Sequence, residues 1–207
     1  AAGISYFSMD LQPEAIFNAR FGPDGATVVY SAAVEGNRPE LMIKRPDAPA
    51  AQPMGLADTQ LLSVSSKGEL AVLTGARYYS NWFFAGTLAE MPLEGGAPRD
   101  LLGNVQDADW SPDGPGLAII REVNGESRLE YPIGKVLYQT AGYVSGLRFS
   151  PDGKEIACST VSPYRPDVRE VNSSQVYTID VEAGNRRLVS GDVRDAVQPS
   201  WSPDGKR

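Results

Sequence analysis

The sequence has no histidine, a single cysteine and no long apolar run, and each absence excludes a class of site. Without histidine, neither Ser-His-Asp or Cys-His catalysis nor histidine-ligated zinc is available. With Cys158 alone there is no internal disulfide and no cysteine-based metal site, and beside Ile156 and Ala157 it is expected to be a small core residue. No stretch approaches the roughly 18 apolar residues that a membrane-spanning helix needs.

Positive charge is also scarce, because 19 Lys and Arg stand against 26 Asp and Glu, for a formal net charge of -7. Binding to phosphates needs a basic surface, so nucleic acid is not an expected partner. We also expect no cofactor, no metal site and no membrane contact by this region itself. A chain of 207 residues is nevertheless long enough to bury a substantial core as one domain.

What the sequence does have is a repeated phrase, an aromatic residue followed by Ser-Pro-Asp-Gly. The phrase is complete at 110–114, 149–153 and 201–205, nearly complete at 21–25 and degenerate at 64–68. Its copies recur at intervals of about 39 to 52 residues, a spacing typical of propeller and solenoid repeats. Proline presets the first turn position, aspartate can bond the local backbone and glycine accepts a positive φ, so each copy predicts a tight turn.

Each copy separates two short runs rich in β-branched and aromatic residues, and two further runs complete a unit. No stretch has a convincing helical period, so almost no helix is expected. Four short antiparallel strands per unit predict an all-β fold, a β-propeller of four-stranded blades. A sandwich or a barrel would not explain five copies of one turn in the same place.

The predicted domain is a single, incomplete β-propeller over residues 1–207. Its predicted parts are a leading outer strand at 4–9, blade units at about 15–56, 60–102, 105–138 and 146–189, and a partial unit with a trailing inner strand at 198–207.

The repeat resembles the TolB-type, WD40-like propeller repeat, in which the phrase is followed by a lysine and an apolar strand, as in 149–157. A finer resemblance is to the C-terminal propeller of bacterial, especially acidobacterial, serine/threonine protein kinases. It rests on 19–25 with 28–32, on 86–89 with 95–99, and on 109–114 with 128–138, and from about Val161 onward only the general repeat is similar. None of the motifs of the kinase domain itself is present.

These resemblances imply a six-bladed ring, of which this chain supplies about four blades. We therefore expect either that the parent continues past Arg207 or that the ring closes on another copy, because open blade edges invite self-association. The kinase resemblance implies an extracytoplasmic sensing or docking region, tethered through the parent chain. The alternatives are a TolB-like periplasmic interaction protein and the gating propeller of a prolyl-oligopeptidase-type peptidase.

In a propeller, the short turns and the long loops lie on opposite faces, and binding residues are commonly found on loops held by a rigid scaffold. The connection at 76–85 is rich in aromatic residues and is the best candidate contact surface. Its structural alternative is an apolar flap over a blade top. The candidate binding residues are Tyr78, Tyr79, Trp82, Phe83 and Phe84, with Tyr164 and Arg165 as a weaker set.

The turn aspartates are expected to be structural, since a calcium loop needs several oxygen ligands in one segment and each turn has one carboxylate. They are Asp24, Asp113, Asp152 and Asp204. The aromatic residues of the phrase are expected to pack between blades. No catalytic residue is expected in this region, because no nucleophile has a base beside it.

Overall fold

The computed structural model describes residues 15–35, 38–80, 83–161, 173–190, 193–194 and 198–205. All regular structure in these residues is β-strand, and each strand pairs antiparallel with its neighbours. The all-β, antiparallel expectation is therefore confirmed. Nowhere in these residues is there a helix of the length and hydrophobicity that crossing a membrane requires. The predicted leading strand at 4–9 lies outside the described residues.

The first sheet, here named the first blade, has four strands in sequential order. They are β1 (Ala15–Phe21), β2 (Val28–Glu35), β3 (Arg38–Lys44) and β4 (Gln52–Ala57). Alternate side chains of β2 point to opposite faces of the sheet. Val29 packs with Leu41 against the following sheet, whereas Val28 and Tyr30 form a separate small cluster. Both faces of this blade are therefore apolar, as stacked blades require.

The second sheet has seven strands because one long strand serves two blades. The strands are β5 (Gln60–Val64), β6 (Glu69–Ser80), β7 (Phe83–Pro92), β8 (Arg99–Trp110), β9 (Leu117–Val123), β10 (Glu126–Glu130) and β11 (Val136–Thr140). The first half of β8 pairs with β7 and completes the second blade, and its second half pairs with β9 and opens the third blade. The sequence pattern predicts two strands here. Asn104, with a φ of 60°, bends the chain without ending the strand.

The third sheet forms the fourth blade. Its strands are β12 (Tyr143–Phe149), β13 (Glu155–Val161), β14 (Ser173–Asp180) and β15 (Arg186–Leu188), and a short β16 (Val193–Arg194) also pairs with β14. In the described residues 198–205, the last copy of the phrase forms its turn, and the Gly205 N–H donates to the Ser202 carbonyl over 2.8 Å. The residues before this turn, predicted as an inner strand, are not in a strand. A strand needs a hydrogen-bonded neighbour, and the described residues provide none there.

The core lies in the seams between successive blades. One apolar cluster joins each neighbouring pair of blades. In the seam between the third and fourth blades, Phe149 packs edge-to-face on Tyr131 with ring centroids 4.9 Å apart. At the outer rim of the same seam, the Arg186 guanidinium lies 4.7 Å from the Tyr138 ring centroid and 4.3 Å from that of Tyr177. Cation–π contacts of this kind fasten the rim of one blade to the next.

Trp110 and Phe149, two aromatic residues of the repeated phrase, are buried in these seams, as the pattern predicts. Trp201 is half-buried, and its indole N–H donates to the Arg148 carbonyl over 3.0 Å. The expectation is wrong for Phe21, which is 54% exposed. The same sequence position therefore does not have the same environment in every blade.

Neighbouring turns of the repeated phrase pack on each other. A Cβ built on the glycine of one turn would lie 3.5 to 3.9 Å from the proline ring of the preceding turn, in the pairs Pro23 with Gly68, Pro112 with Gly153 and Pro151 with Gly205. The degenerate second copy has Ser66 in place of the proline, and nothing lies within 4 Å of such a Cβ at the following Gly114. The phrase therefore also contributes to contact between blades.

Gly114 is also the exception to the predicted turn conformation. The other glycines of the phrase have a positive φ, between 68° and 80°, and Gly114 does not. Pro115 follows it directly, and a proline moves the residue before it toward extended backbone.

Gly153 and Gly114 supply a matched pair of substitutions. Gly153→Ala is expected to lower the free energy of unfolding by about 1 to 2 kcal/mol, because a side chain is strained at its φ of 70°. Gly114→Ala, with open space and no positive φ, should change it by less than about 0.5 kcal/mol. Urea unfolding of the two variants measures both values, and equal losses would contradict the assignment.

Candidate functional site

The predicted aromatic connection at 76–85 is not a loop but the end of a long β-hairpin. β6 has 12 residues and β7 has 10, and they remain paired up to Ser80 and Phe83. The other hairpin strands that reach this face have five to eight residues. The aromatic residues explain the extension, since they favour paired strands over irregular chain. We name the paired segment 76–80 with 83–86 the β6–β7 ribbon.

Small residues allow the ribbon to depart from the blade. Gly75, with a φ of 58°, lies at a register shift between Thr74 and Arg77. A Cβ at Gly86 would lie 2.8 Å from the Thr74 carbonyl oxygen and 3.3 Å from the Ala76 Cα. The two strands therefore approach at this point more closely than any side chain at 86 would permit.

Three aromatic rings run from the core to the surface of the ribbon. Phe17 on β1 packs edge-to-face on Phe84, with centroids 5.0 Å apart, and Phe84 packs edge-to-face on Tyr78 at 5.8 Å. Phe84 is buried, whereas Tyr78 is 47% exposed. The structural alternative therefore holds for Phe84, which joins two blades, and Tyr78 is the member that a partner could reach.

The other predicted binding residues fall in three places. Tyr79 lies in β6 and Phe83 in β7, near the end of the ribbon, where Phe83 pairs with Ser80. Trp82, Tyr164 and Arg165 lie outside the described residues. The structure therefore brings together Tyr78 and Phe84 by direct ring contact.

Three of the four turn aspartates bind within their own turns. Asp24 accepts hydrogen bonds from the Thr27 hydroxyl at 2.7 Å and from the backbone N–H groups of Thr27 and Ala26 at 2.9 and 3.0 Å. The Thr27 hydroxyl is the main cause that lowers the pKa of Asp24. Asp152 has a lowered pKa as well, chiefly because the Ser150 hydroxyl donates to it.

The remaining two turn aspartates, Asp204 and Asp113, differ from each other. The Ser202 hydroxyl donates to Asp204 at 2.6 Å. Asp113 instead lies beside the next turn, where one of its carboxylate oxygens would be 3.5 Å from a Cβ on Gly153. Among the described residues, no three carboxylate or thiol groups are placed to hold a metal ion.

A second cluster of polar side chains lies where the inner strands meet. β1 lies beside β5, β5 beside β8 and β8 beside β12. An inner strand is a sheet edge, so its backbone groups need partners from outside its own sheet. Asn18 supplies them across the first seam, where its amide donates to the carbonyls of Leu61 and Leu62 at 2.9 and 3.2 Å.

Carboxylates have the same role across the seam between β8 and β12. Asp107 accepts from the Leu147 N–H at 3.0 Å, and Asp109 accepts from the Phe149 N–H at 2.9 Å. The Ser63 hydroxyl on β5 donates to Asp109 over 2.5 Å. Side chains on β5 and β8 thus join three successive inner strands.

Arg20 on β1 supplies the positive charge of this cluster. Its Nη1 donates to the Asn18 side-chain oxygen and to the Ala19 carbonyl, while its Nη2 is buried without an acceptor among the described residues. Burial lowers the pKa of the Arg20 guanidinium, and the negative charges of Asp107 and Asp109 oppose that effect. We name Asn18, Arg20, Ser63, Asp107 and Asp109 the axial cluster.

Asp107 and Asp109, the two carboxylates of the axial cluster, are half-buried between the packed inner strands. Desolvation raises the pKa of Asp107 to about 7, against the opposing hydrogen bond from Leu147 and the charge of Arg20. Desolvation also raises the pKa of Asp109. The cluster therefore holds negative charge at the centre of the blades only at a cost in free energy.

Sequence reasoning missed the axial cluster because it followed the turns and not the strands before them. A signal was present, since Asp107 and Asp109 are two residues apart and so share one face of a strand. Arg20, Ser63 and Asp109 also occupy the same position, directly before the first residue of the phrase.

Three solved structures show what the chain is similar to in fold. A TolB candidate from Agrobacterium tumefaciens matches with a TM-score of 0.68 and 18% identity, over 88% of this chain and 69% of that one. TolB from Acinetobacter baumannii matches with a TM-score of 0.67 and 19% identity, over 93% and 47%. The β-propeller domain of the Trilobed protease from Pyrococcus furiosus, which has an open velcro topology, matches with a TM-score of 0.54 and 13% identity, over 86% and 58%.

At these identities the likeness establishes the fold, a TolB-like β-propeller. The chain spans between 47% and 69% of the length of these three structures. No protein-family model matches the chain, and no curated protein matches it. The predicted TolB-type propeller is confirmed, and the kinase resemblance stays a prediction.

Proposed function

We propose that this chain is a non-catalytic binding module that presents the face bearing the β6–β7 ribbon to a protein, peptide or small ligand. The observation that carries the proposal is Tyr78, which is 47% exposed and is supported from below by Phe84 and Phe17. A tyrosine offers an apolar ring and a polar tip, and such residues are enriched at protein interfaces. Because packing against Phe84 already orders the Tyr78 ring, binding a partner costs little further side-chain conformational entropy at this residue.

The specific form of this proposal is the extracytoplasmic ligand- or protein-interaction region of a receptor-like serine/threonine protein kinase. It is supported by the residue-level resemblance at 19–25 with 28–32, 86–89 with 95–99, and 109–114 with 128–138. The TolB-like fold equally suits a periplasmic interaction protein. It also suits the gating propeller of a prolyl-oligopeptidase-type peptidase, and the propeller of the Trilobed protease has a similar fold. The sequence that flanks this region in its parent distinguishes the three forms, because the receptor form requires a kinase domain and a membrane span, the gating form requires a peptidase domain, and the TolB-like form requires neither.

Absence of catalysis is part of the proposal and can be tested directly. We expect the purified 207-residue chain to turn over neither ATP nor peptide substrates above a buffer blank. The physical reason is that the carboxylates of the axial cluster are already engaged by backbone N–H groups and by Ser63. Turnover that survives further purification and is lost on heat denaturation would contradict this part of the proposal.

Binding at the ribbon can be tested with a photo-cross-linking amino acid at position 78. The matched control is the same amino acid at Ile133, which is 41% exposed in a turn on the opposite face. We expect a discrete adduct with a component of the source cell from position 78 and none from position 133. Equal adducts from both positions would contradict the assignment of the face.

Removal of the ring provides the quantitative test. Tyr78→Ala should weaken binding of the cross-linked partner by at least about tenfold, as for an aromatic residue central to an interface. Titration of labelled partner measures the affinity, and Ile133→Ala is the control, expected to change it by less than about twofold. Unchanged affinity in Tyr78→Ala would show that the ribbon is not the contact.

A further inference from the structure

Two arginines face each other on neighbouring strands of the third blade. Arg121 on β9 and Arg128 on β10 are direct partners in the strand register, and both are partly buried. Arg121 is also opposite Val105 on β8, which belongs to the apolar cluster between the second and third blades. Residues directly opposite in paired strands share one face, so both guanidinium groups extend from the face turned toward the second blade. Like charges in this arrangement destabilise a strand pair unless an anion compensates them.

The two carboxylates that β10 places on the same face are bound to groups other than Arg128. Glu130 accepts from the Arg121 Nε at 2.8 Å with one oxygen and from a backbone N–H at 2.9 Å with the other. Glu126 accepts from the Gln139 amide at 2.7 Å. Neither forms an ion pair with Arg128, nor does any other carboxylate of the described residues. The positive charge of Arg128 therefore has no anion in contact with it.

The N–H donors of the two arginines outnumber the acceptors around them. Arg128 Nε is buried without an acceptor, and its Nη groups donate to none of the described residues. Arg121 donates only through Nε, so its Nη groups also have no acceptor in the described part of the chain. A buried donor without a partner costs free energy, and an anion would remove that cost. We propose that Arg121 and Arg128 bind a phosphate group of a small ligand in the seam between the second and third blades.

The chemistry of two adjacent guanidinium groups favours phosphate over carboxylate. Each guanidinium is planar and always charged, and its N–H groups can donate in parallel to two oxygens of one anion. A phosphate group has enough oxygens and charge to accept from both arginines, whereas one arginine is sufficient for a carboxylate. Glu130 keeps its bond to the Arg121 Nε, because the phosphate would accept from the Nη groups.

The chain beside the two arginines leaves the site open to solvent. Gly103 and Asn104, directly before Val105 on β8, are exposed, and open space surrounds a Cβ built on Gly103. Because Val105 pairs with Arg121, this bend lies next to Arg121. Val105 also pairs with Gly86 at the base of the β6–β7 ribbon, but the site contains none of the aromatic residues of the ribbon. The phosphate site is therefore separate from the binding function proposed above and does not depend on it.

Heteronuclear NMR of the arginine Nε–H groups tests the site in the intact chain. Sodium phosphate at neutral pH is the titrant, and sodium chloride keeps the ionic strength constant. We expect saturable shifts of the Arg121 and Arg128 signals with a Kd of about 1 mM or below, and none for Arg187, which pairs with Glu155 on the fourth blade. Absence of saturation at about ten times that concentration, or equal shifts of the Arg187 signal, would overturn the proposal.

A titration with sodium acetate tests the preference for phosphate. The Kd for acetate should be at least about tenfold weaker, because one charge and two oxygens cannot engage both arginines fully. Acetate that binds as tightly as phosphate would overturn the assignment of a phosphate group.

A matched pair of substitutions assigns the binding to Arg128. Arg128→Gln removes the guanidinium and should weaken phosphate binding by at least about tenfold, as for the loss of hydrogen bonds to a charged group. Arg99→Gln alters an exposed arginine of the same sheet, which pairs with Glu90, and should change the Kd by less than about twofold. Unchanged affinity in Arg128→Gln would overturn the proposal. If that variant fails to fold, the Arg121 and Arg128 signals of the unaltered chain decide the matter.

Discussion

Phe149→Ala is expected to lower the free energy of unfolding by about 3 to 5 kcal/mol, the range for removal of a buried aromatic ring. Phe149 is 7% exposed and lies in the seam between the third and fourth blades. Its edge-to-face contact with Tyr131 would be lost together with the apolar area it buries. Urea denaturation monitored by tryptophan fluorescence measures the change in the free energy of unfolding. A single transition is expected, because the seam should open cooperatively with the blades beside it.

Phe21→Ala is the matched control, because Phe21 holds the same position in the repeated phrase. It is 54% exposed, so its removal should lower the free energy of unfolding by less than about 1 kcal/mol. The comparison separates the effect of the position in the repeated phrase from the effect of burial in the seam. If the two variants lose the same stability, burial in the seam is not what makes Phe149 important.

Arg121→Met is expected to lower the free energy of unfolding by about 3 kcal/mol. Its partner Glu130 is only 1% exposed, and it accepts from the Arg121 Nε at 2.8 Å and from the Gly134 N–H at 2.9 Å. Methionine keeps the packing of the side-chain stem but leaves a buried carboxylate without its counter-charge. Loss of one partner of a buried ion pair costs several kcal/mol, because the remaining charge is not solvated.

Two further variants test this reasoning. Arg99→Met breaks the Arg99–Glu90 pair, in which the arginine is 70% exposed, and should cost less than about 1 kcal/mol. The double variant Arg121→Met with Glu130→Gln should recover part of the loss, since it removes the isolated charge and keeps an acceptor for Gly134. Urea unfolding of these three variants and of the unaltered chain is the measurement. A double variant less stable than Arg121→Met would contradict the explanation.

Much of the fold was predictable because it is local. The phrase places a proline, an aspartate and a glycine where a tight turn needs them, and Asp24 and Gly25 take the expected bond and positive φ. The Asn124-Gly125 hairpin turn likewise forms with φ values of 55° and 78°. Such signals need only a few consecutive residues, so the sequence contains all of the information.

The candidate sites were less predictable because they depend on contacts between distant residues. Tyr78 and Phe84 were expected to share a role, and only the packing of Phe17 from another blade separates the buried ring from the exposed one. The axial cluster depends on the approach of β8 to β12, where Asp107 meets a backbone group 40 residues away. No local sequence pattern predicts a hydrogen bond between residues so far apart in the chain.

The sequence by itself determined the units of this protein: an all-β chain, antiparallel strands, and a turn phrase that marks where each blade begins. Periodicity and turn chemistry depend on a few consecutive residues, so they can be predicted without knowledge of the rest of the chain. Only the tertiary structure decided which members of the repeat are equivalent in environment. Phe21 is exposed and Phe149 buried at the same position, and desolvation by the neighbouring blades raises the pKa of Asp107. Burial and desolvation are properties of the assembled blades, which a repeated sequence does not by itself contain.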